Sequence, residues 1–408
     1  MSRAIAQQNV QVILALPPAS LCLLLVTHYF STHRGGVEKV ADELVRRLAA
    51  TNGWSVTWLA SDSDPIPEAL PTLVKPFSMR AWNGIERRLG IPWPIWSLGA
   101  LHKLWIAIGQ ADAVHLHDAL YFGNAFACLF ARLHGVPVVV TQHVGAIPFR
   151  SALLRAIQGL ANRTLGRLVL SSAQHVIFIS PAVRDEYTHF CNFRSSPKYI
   201  PNGVDTDVFN PQGPVADDRA IAAARYSGRR LFLFVGRFVE KKGLSILHEL
   251  ATMLPDDLWL FAGHGPLDPV LWRLPNVQVL RGKSGARLAC YFRVADLLVL
   301  PSVGEGFPLV VQEAMACGTP VMVGEETAAG CPAARALMFV EKVGGTDTPA
   351  RWTRRLSEAW ARPDHLAALR PVVAKFAIEH WSWDRSAAEY VELLASVVAE
   401  ESHRKGAR

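Results

Sequence analysis

The feature that most constrains the fold is the alternation of short apolar runs with helical patterns along the chain. The runs are rich in Val, Leu and Ile without strict alternation, which is typical of strands buried on both faces of a parallel sheet. Ten runs are predicted to be strands: Leu21–Thr27, Ser55–Ala60, Val114–His117, Val136–Thr141, His175–Ile179, Leu231–Val235, Leu258–Ala262, Val277–Leu280, Leu297–Leu300 and Pro320–Val323. Strands and helices in this order predict an α/β fold with a doubly wound sheet.

The length of the chain predicts more than one such sheet. With 408 residues, the chain has room for two or three domains. Ten strands are better divided between two sheets, and the turn Ile200-Pro201-Asn202-Gly203 is the expected division. We therefore predict a first domain over residues 1–200 and a second over residues 201–378. Residues 379–408 are predicted to form a helix that crosses back to the first domain.

Composition excludes several classes of protein. Half of the residues are hydrophobic and 19% are charged, so the chain is not of the disordered class. Its six cysteines include no C-x-x-C pair, which argues against a disulfide scaffold and a zinc ribbon. Reduced thiols in the cytoplasm fit this pattern better.

The net charge of +7 is carried by the first half of the chain. Residues 1–200 hold 18 Lys and Arg against 11 Asp and Glu, whereas residues 201–408 hold 24 of each. An anionic membrane, a phosphorylated substrate or nucleic acid would each explain this excess. We expect no nucleic-acid partner, because no reader motif is present and the charge is not clustered on one helix.

Two segments suggest contact with a membrane. The apolar stretch from Val10 to Phe30 is interrupted by Pro17-Pro18, so a buried strand after a loose N-terminus is favoured over a membrane-contacting N-terminus. The segment from Trp82 to Trp105 mixes basic and aromatic side chains. This mixture is typical either of a membrane interface or of a helical segment that packs on the core and exposes its basic side chains to solvent. With the charge excess, these features predict a peripheral contact with an anionic membrane.

Glycines and cations follow two of the predicted strands, and ligands of open α/β sheets bind beyond the carboxyl ends of strands. Gly35-Gly36 follows the first strand, where it either admits a ligand to the backbone or only packs. Arg237 and Lys242 follow Leu231–Val235. They would neutralise a diphosphate without a metal, or they belong to a solvated loop.

The segment Pro301–Gly318 combines an anion-binding helix start with two carboxylates. Its Pro and Gly residues suit the start and the end of a helix, which would leave the amides of Leu309 and Val310 for phosphate oxygens. A carboxylate at this helix start would repel a phosphate, so its presence needs a reason. Binding hydroxyl groups beside the phosphate is such a reason. Glu313 would accept from a ribose, and Glu305 from a sugar.

Three other patterns raise the question of a metal. Asp62-Ser63-Asp64 and Asp205-Thr206-Asp207 match the D-x-D pattern that binds metal elsewhere, but Asp pairs are common in turns and we interpret them so. His115 and His117 point the same way on one strand without a third ligand nearby. The sequence therefore predicts no metal, and a role for these histidines at a strand end.

The spacing of Glu305 and Glu313 resembles the E-x7-E motif of retaining glycosyltransferases of family 4, which have the GT-B fold. Further segments resemble the family in its own order over roughly residues 21–400: RGGVEKVADELVRRLA, VVVTQHVG, VIFISPAV, YIPNGVDTDVFNP, FVGRFVEKKGLSIL, FAGHGP, ADLLVLPSVGEGFPLVVQEAMACGTPVM and WSWDRSAAEYVELL. The resemblance implies two Rossmann-like doubly wound domains that face each other across a cleft.

The resemblance also implies roles for individual residues. Catalytic roles fall on His143, Arg237, Lys242 and Glu305. Donor-binding roles fall on Gly36, Gly236, Gly263, Gly265, Phe307, Leu309, Val310 and Glu313. The family usually has a Gly-rich segment with Pro-Glu after the last predicted strand; here the chain reads Gly324 to Pro332 without it, so loop contacts there are open.

The implied activity is retaining transfer of a hexose from a nucleoside-diphosphate sugar, UDP- or GDP-linked, without a metal or other cofactor. The acceptor would be a glycan or a lipid-linked molecule bound by the first domain, in synthesis of bacterial-type cell-surface polysaccharide or glycolipid. The alternative is a GT-B scaffold protein that binds nucleotide sugars without transferring them. We expect a cytoplasmic protein that can contact the cytoplasmic face of the inner membrane.

Overall fold

Two parallel sheets, each covered by helices on both faces, make up the computed structural model. It describes residues 21–33, 35–51, 53–89, 93–145 and 151–406. The favoured buried strand is present as Leu21–Val26. The loose N-terminus expected before it, and the alternative of a membrane-contacting N-terminus, fall on residues 1–20, outside the described residues. The doubly wound α/β fold class is confirmed by both sheets.

The first sheet has seven parallel strands in the order β3-β2-β1-β6-β7-β8-β9. In its register Leu25 of the first strand lies beside Trp58 on one side and His115 on the other. The elements of this domain are β1 Leu21–Val26, α1 Gly36–Ala50, β2 Trp54–Ser61, β3 Val74–Met79, β4 Ala81–Trp82, α2 Gly84–Leu89, β5 Ile95–Trp96, α3 Leu98–Gly109, β6 Ala113–His117, α4 Phe122–His134, β7 Val138–Gln142, α5 Ala152–Ala161, α6 Arg167–Ser172, β8 His175–Phe178, α7 Pro181–Thr188 and β9 Lys198–Tyr199. A π-helical turn, Asn162–Gly166, joins α5 to α6.

The second sheet has six parallel strands in the order β12-β11-β10-β13-β14-β15. Its elements are α8 Arg219–Tyr226, β10 Leu231–Val235, α9 Leu244–Met253, β11 Leu258–Ala262, β12 Val277–Leu280, α10 Gly285–Val294, β13 Leu297–Leu300, α11 Leu309–Ala316, β14 Val321–Gly324, α12 Glu325–Ala329, β15 Phe339–Glu341, α13 Thr348–Trp360 and α14 Pro363–Trp381. The last helix, α15, is Trp383–Gly406.

Both sheets reverse their strand order at one point, between β1 and β6 in the first and between β10 and β13 in the second. Ligands of doubly wound sheets bind in the crevice at this switch point, beyond the carboxyl ends of the strands. The glycine and cation loops of the sequence analysis follow β1 and β10, and the two-glutamate segment follows β13. The topology therefore gathers them where a ligand is expected.

Apolar clusters cover both faces of the first sheet. One cluster joins Leu24 and Val26 to α3, α4 and α6, and the other joins Leu23 and Leu25 to α1 and α15. Full burial of one such side chain contributes about 1.5–3 kcal/mol, which explains apolar runs that do not alternate.

The last helix, α15, packs on the first domain although α14 belongs to the second. Its residues Tyr390 and Leu394 lie in the same cluster as Leu23. Ser386 donates a hydrogen bond to the backbone oxygen of Pro201, at 3.0 Å. This helix begins at Trp383 rather than at residue 379, because α14 extends to Trp381.

The strand predictions omit β3, β4, β5, β9 and β15. Strand β3 lies at the edge of the sheet and includes Lys75 and Pro76, so it presents no continuous apolar run. Three of the others have only two residues and β15 has three, which is too short for a periodic signal.

Candidate active site

The loops after β10 and β13 meet and bring basic and acidic side chains together. The amide of Val303 donates to the backbone oxygen of Lys241 at 2.9 Å, which joins the two loops. Lys242 Nζ lies 2.7 Å from both carboxylate oxygens of Glu305, and Lys241 Nζ lies 3.8 Å from one of them. Arg237, in the same loop, is exposed and has no ion-pair partner in the described part of the chain. The two loops thus bring Arg237, Lys241 and Lys242 to the switch point beside the carboxylate of Glu305, with Glu240 in the same loop as the cations.

Two glycines allow the loops after β10 and β11 to pack backbone on backbone. A Cβ on Gly263 would stand 1.9 Å from the backbone oxygen of Gly236, and one on Gly265 would stand 2.6 Å from that of Phe238. Both glycines have a φ of +155°, which side-chain-bearing residues rarely adopt. The predicted Gly236, Gly263 and Gly265 thus shape one turn beside the cations.

The loop of Glu305 and Phe307 touches the first domain at Gly306. A Cβ on Gly306 would stand 3.2 Å from Ser180 Oγ and 3.4 Å from the backbone oxygen of His143. His143 is therefore adjacent to the loop that carries Glu305. The structure brings these predicted site residues of both domains into one place.

Helix α11 starts immediately after Pro308 and carries Glu313 on a buried face. Leu309 and Val310 form its first two positions, as predicted, so their amides lie at an anion-favouring helix start. Glu313 is only 5% exposed, and its Oε1 lies 2.5 Å from Nζ of Lys39 on α1. Burial alone would lower the pKa of Lys39, but attraction by Glu313 outweighs it and the net shift is upward. The predicted ribose ligand is thus also an ion-pair partner across the two domains.

His143 lies directly after β7 and is held by the neighbouring strand β6. Its Nε2 is 2.9 Å from Nδ1 of His117, and the rings are nearly parallel at 13°. Its backbone amide donates to Oδ1 of Asp118 at 2.8 Å. Burial lowers the pKa of His143 to about 3, so the ring is neutral near pH 7. His143 of the first domain therefore presents an uncharged imidazole to the site, and His117 fixes its orientation.

A further buried chain connects this strand end to the last helix. His115 Nε2 lies 2.8 Å from Oγ1 of Thr141, which in turn lies 3.2 Å from the hydroxyl of Tyr390. His115 and His117 are fully buried near the carboxyl end of β6, and the predicted role for them at this strand end stays a prediction.

The segment after β14 supports the Glu305 loop. Glu326 accepts a hydrogen bond from the amide of Gly304 at 2.9 Å, and a Cβ on Gly330 would stand 1.9 Å from the backbone oxygen of Gly306. Burial raises the pKa of Glu326. Residues 324–332, for which the sequence left the loop contacts open, thus contact the Glu305 loop through the carboxylate of Glu326 and through the tightly packed Gly330.

For two further predicted residues, Gly36 and Phe307, the described contacts do not assign a donor-binding role to the side chain. Gly36 begins α1, and a Cβ there would meet no described atom within 4 Å, whereas one on Gly35 would meet the Glu38 carboxylate. Phe307 is buried against Trp381, with ring centroids 5.2 Å apart, so its backbone rather than its ring is available.

The two D-x-D segments have local partners. Asp205 accepts from the amides of Asp207 and Val208, which is a turn as predicted. Asp62 and Ser63 also lie in a turn, as predicted, and Asp64 after them lies 2.8 Å from Nδ1 of His33. Within the described ranges no three His, Cys, Asp or Glu side chains are grouped to hold a metal ion.

The segment from Trp82 to Trp105 divides between core and surface. Trp96 is 4% exposed and packs in the first-domain core, whereas Trp82 is 51% and Trp105 37% exposed. Ile91 lies outside the described residues. No described helix is long and apolar enough to span a bilayer.

Lys39, Asp118 and Glu326 were not predicted from the sequence to belong to the site. The contact of His117 with His143 was not predicted either. Lys39 and Glu313 are 274 positions apart, and no local pattern signals their contact. The His-x-His-Asp run at the end of β6 was a usable signal, since its second His and its Asp both face β7 at a strand end.

Comparison with known proteins adds independent observations. The model of Glycosyltransferase Family 4 matches residues 34–208, and that of Glycosyl transferases group 1 matches residues 229–340. The chain belongs to the family 4 type of GT-B glycosyltransferases. The family resemblance expected from the sequence is thereby confirmed.

Relatives of this glycosyltransferase differ in what they act on. A GDP-mannose-dependent alpha-(1-6)-phosphatidylinositol monomannoside mannosyltransferase of Mycolicibacterium smegmatis is 29% identical, over 91% of this chain and 98% of its own. A D-inositol 3-phosphate glycosyltransferase of Streptomyces avermitilis is 28% identical over 74% of this chain and 68% of its own.

Solved structures confirm the GT-B fold. Sucrose-phosphate synthase of Thermosynechococcus elongatus superposes with a TM-score of 0.75 at 20% identity, over 93% of this chain and 100% of its own. Anabaena HepE, solved with UDP-glucose, gives a TM-score of 0.67 at 15% identity, over 92% and 100% of the two chains.

Proposed function

We propose that this glycosyltransferase moves a hexose from a UDP- or GDP-sugar to a glycan or lipid-linked acceptor, with retention of anomeric configuration and without a divalent metal. The observation that carries the proposal is the meeting of Lys242, Arg237 and Glu305 with His143 through the contact at Gly306. The second domain would take the donor and the first domain the acceptor.

The cations match the charge that develops in such a transfer. The bond between the anomeric carbon and the diphosphate oxygen breaks, and its electron pair goes to the diphosphate. Arg237 and Lys242 would stabilise this charge together with the amides of Leu309 and Val310 at the start of α11. One preorganised donor in a dry site contributes about 2.7–4 kcal/mol, so several can supply what a metal ion supplies elsewhere.

Retention fits attack on the face from which the diphosphate leaves. The acceptor oxygen forms the new bond to the anomeric carbon, and its proton passes to the departing phosphate oxygen. Neutral His143 is suited to hydrogen-bond a sugar hydroxyl next to the reacting carbon, because an imidazolium there would disfavour positive charge developing on the sugar. We assign no protein nucleophile.

The relatives support the choice of donor and acceptor classes. The M. smegmatis relative is named for GDP-mannose and a phosphatidylinositol-linked acceptor, and HepE was solved with UDP-glucose. UDP- and GDP-sugars are therefore the donors to test first, with lipid-linked acceptors. Synthesis of cell-surface polysaccharide or glycolipid is the corresponding role.

The first experiment is a thermal-shift series with UDP, GDP and ADP, each with and without an attached sugar. A ligand at 100 times its Kd adds about 2.7 kcal/mol to stability, which is readily measured. The nucleotide that binds then identifies the donor for transfer of labelled sugar to a lipid extract.

Three outcomes would contradict the proposal. Donor binding without transfer to any extract favours the non-transferring scaffold. Turnover that is abolished by EDTA and restored by Mg²⁺ or Mn²⁺ contradicts metal independence. A product whose anomeric coupling constant is inverted relative to the donor contradicts retention.

A further inference from the structure

One helical segment of the first domain turns an apolar row to solvent. Helix α5 has no buried residue along its length, unlike the helices that cover the sheet. Leu153, Ile157 and Leu160 are 69%, 52% and 65% exposed, and Leu168, beyond the π-helical turn, is 64% exposed. Spacings of four and three residues place Leu153, Ile157 and Leu160 on one face of α5, and Leu168 adds an exposed apolar side chain on α6. We call this row the α5–α6 face.

The stretch of chain that contains the α5–α6 face has no acidic residue. Between Asp118 and Asp185 the 66 residues include six arginines and no Asp, Glu or Lys. Three of the arginines, Arg155, Arg163 and Arg167, lie on the segment itself with exposed side chains. The charged side chains of the segment itself are therefore all positive, and the acidic neighbour in contact with it is Glu186, which accepts a hydrogen bond from Asn162 in the π-helical turn.

The neighbouring helices extend the exposed apolar surface. Helices α3 and α4 pack beside α6 on the same face of the first sheet. They expose Ile106, Leu129 and Leu133 at 48%, 50% and 64%. Exposed apolar side chains on several neighbouring helices favour an interaction site at this face.

The positive charge of this segment distinguishes between two possible occupants of the surface, a second copy of the chain and an anionic bilayer. A second copy related by two-fold symmetry would place two arginine-bearing faces against each other, because the same surface patch serves both subunits. An anionic bilayer offers apolar depth for the leucines and negative headgroups for the arginines, as amphipathic interfacial helices require. We propose that the α5–α6 face docks on an anionic lipid membrane.

The position of the segment links this contact to the cleft. Gln158, on the inner side of α5, donates to the backbone oxygen of Gly145 at 3.3 Å, two residues after His143. Docking would bring the His143 end of the cleft to the lipid surface, where a lipid-linked acceptor presents its sugar. This consequence, unlike the docking itself, rests on the proposed function.

The test is sedimentation of the full-length protein with vesicles of phosphatidylcholine alone or with 30% phosphatidylglycerol (about the anionic fraction that gives a strong surface potential). We expect binding only to the anionic vesicles, weakened by salt. The variant Leu153→Ser/Ile157→Ser/Leu160→Ser should lower the partition coefficient at least about tenfold. Arg167→Gln should lower it roughly fivefold.

A matched control removes three exposed apolar side chains from the second domain: Tyr226→Ser/Val270→Ser/Leu271→Ser, at positions 98%, 57% and 73% exposed. It should bind vesicles like the parent. Unchanged binding by the α5 variant, equal loss in the control, or no binding to anionic vesicles at low salt would overturn the inference. So would a dimer in sedimentation velocity that the α5 variant abolishes.

Donor thermal shifts measured on the same variants separate this inference from the proposed function. Docking lost in the α5 variant with normal donor shifts supports the membrane face whether or not transfer is found. Absence of donor binding in the parent would contradict the proposed function and leave the vesicle result standing.

Discussion

The two walls of the cleft are built from opposite kinds of polar chemistry. The second domain presents ionised groups in contact, with Lys242 on Glu305 and Lys39 of the first domain reaching over to Glu313. The first domain presents a buried chain of histidines, in which His117 holds His143. The difference teaches that charge is placed where a diphosphate would lie, and neutral hydrogen-bonding groups where a sugar would lie.

Burial explains why the two walls differ. On the first domain burial lowers the pKa of His143 to about 3 and raises the pKa of Asp118 to about 7. The neutral imidazole and the neutral carboxylic acid are therefore both favoured over their charged forms. Burial also lowers the pKa of Lys241, but Glu305 nearby opposes the shift. Ion pairing keeps the second wall charged. Among the described residues His115, His117 and His143 have no ion-pair partner, and burial leaves their rings neutral.

The largest effect is expected from removing the cation of the second wall. Lys242→Ala should lower kcat roughly 100- to 1,000-fold, as loss of one preorganised donor does elsewhere, with a smaller effect on donor affinity. Steady-state transfer measures both. The matched control is Lys375→Ala, an exposed lysine of α14 whose ion-pair distance is 4.0 Å. Turnover in Lys242→Ala equal to that of the control would remove Lys242 from the proposed chemistry.

A smaller effect is expected at the other charged contact. Glu313→Gln should weaken donor binding about 10- to 100-fold, because hydrogen bonds to a charged group contribute about 1.5–3 kcal/mol. Calorimetric titration with the nucleotide measures it. Lys39→Met keeps the glutamate and removes only the ion pair. Equal losses in the two variants would show that the pair, rather than a ribose contact, accounts for the affinity.

The sequence predicts the parts of this comparison that depend on local signals. Strand ends follow from apolar runs, and Glu305 and Glu313 follow from the loop and helix start after β13. Contacts between distant segments carry no such signal, so the pairing of Lys39 with Glu313 was not predicted. Edge strand β3 was missed because only its end residues, Val74 and Met79, are buried, and Pro76 lies between them, which leaves no apolar run.

The histidine wall is expected to make stability depend on pH. His115, His117 and His143 all have a lowered pKa in the folded state, so the unfolded chain binds more protons below its usual histidine pKa of about 6.5. Their contribution is complete above that pH and is lost progressively as the pH falls towards 3. Asp118, with its raised pKa, acts in the opposite direction and offsets one histidine.

For these four groups together we expect a loss of about 1 kcal/mol of unfolding free energy per pH unit below pH 6.5. Burial also lowers the pKa of His28, which adds to this loss, and raises the pKa of Glu38 and Glu326, which opposes it. Urea unfolding at pH 7.5, 6.0 and 5.0 measures the slope. His117→Asn should make it shallower, whereas His403→Gln, at an exposed position of α15, should not. Equal slopes in all three proteins would contradict a neutral buried histidine wall.

The smallest effect is expected where the last helix meets this wall. Tyr390→Phe removes the hydroxyl 3.2 Å from Thr141 Oγ1 and should cost about 0.5–1.5 kcal/mol of stability, the net value of one buried hydrogen bond. Transfer should stay within about twofold of the parent, because Phe keeps the ring contact with His115 and the hydroxyl bonds Thr141 rather than His143. Tyr226→Phe, at a 98% exposed position, is the control for the substitution itself. A much larger loss of turnover in Tyr390→Phe, with the fold intact, would mean that the helix acts on His143 through the strand end, and the first wall would then be coupled to domain closure instead of being a passive neutral surface.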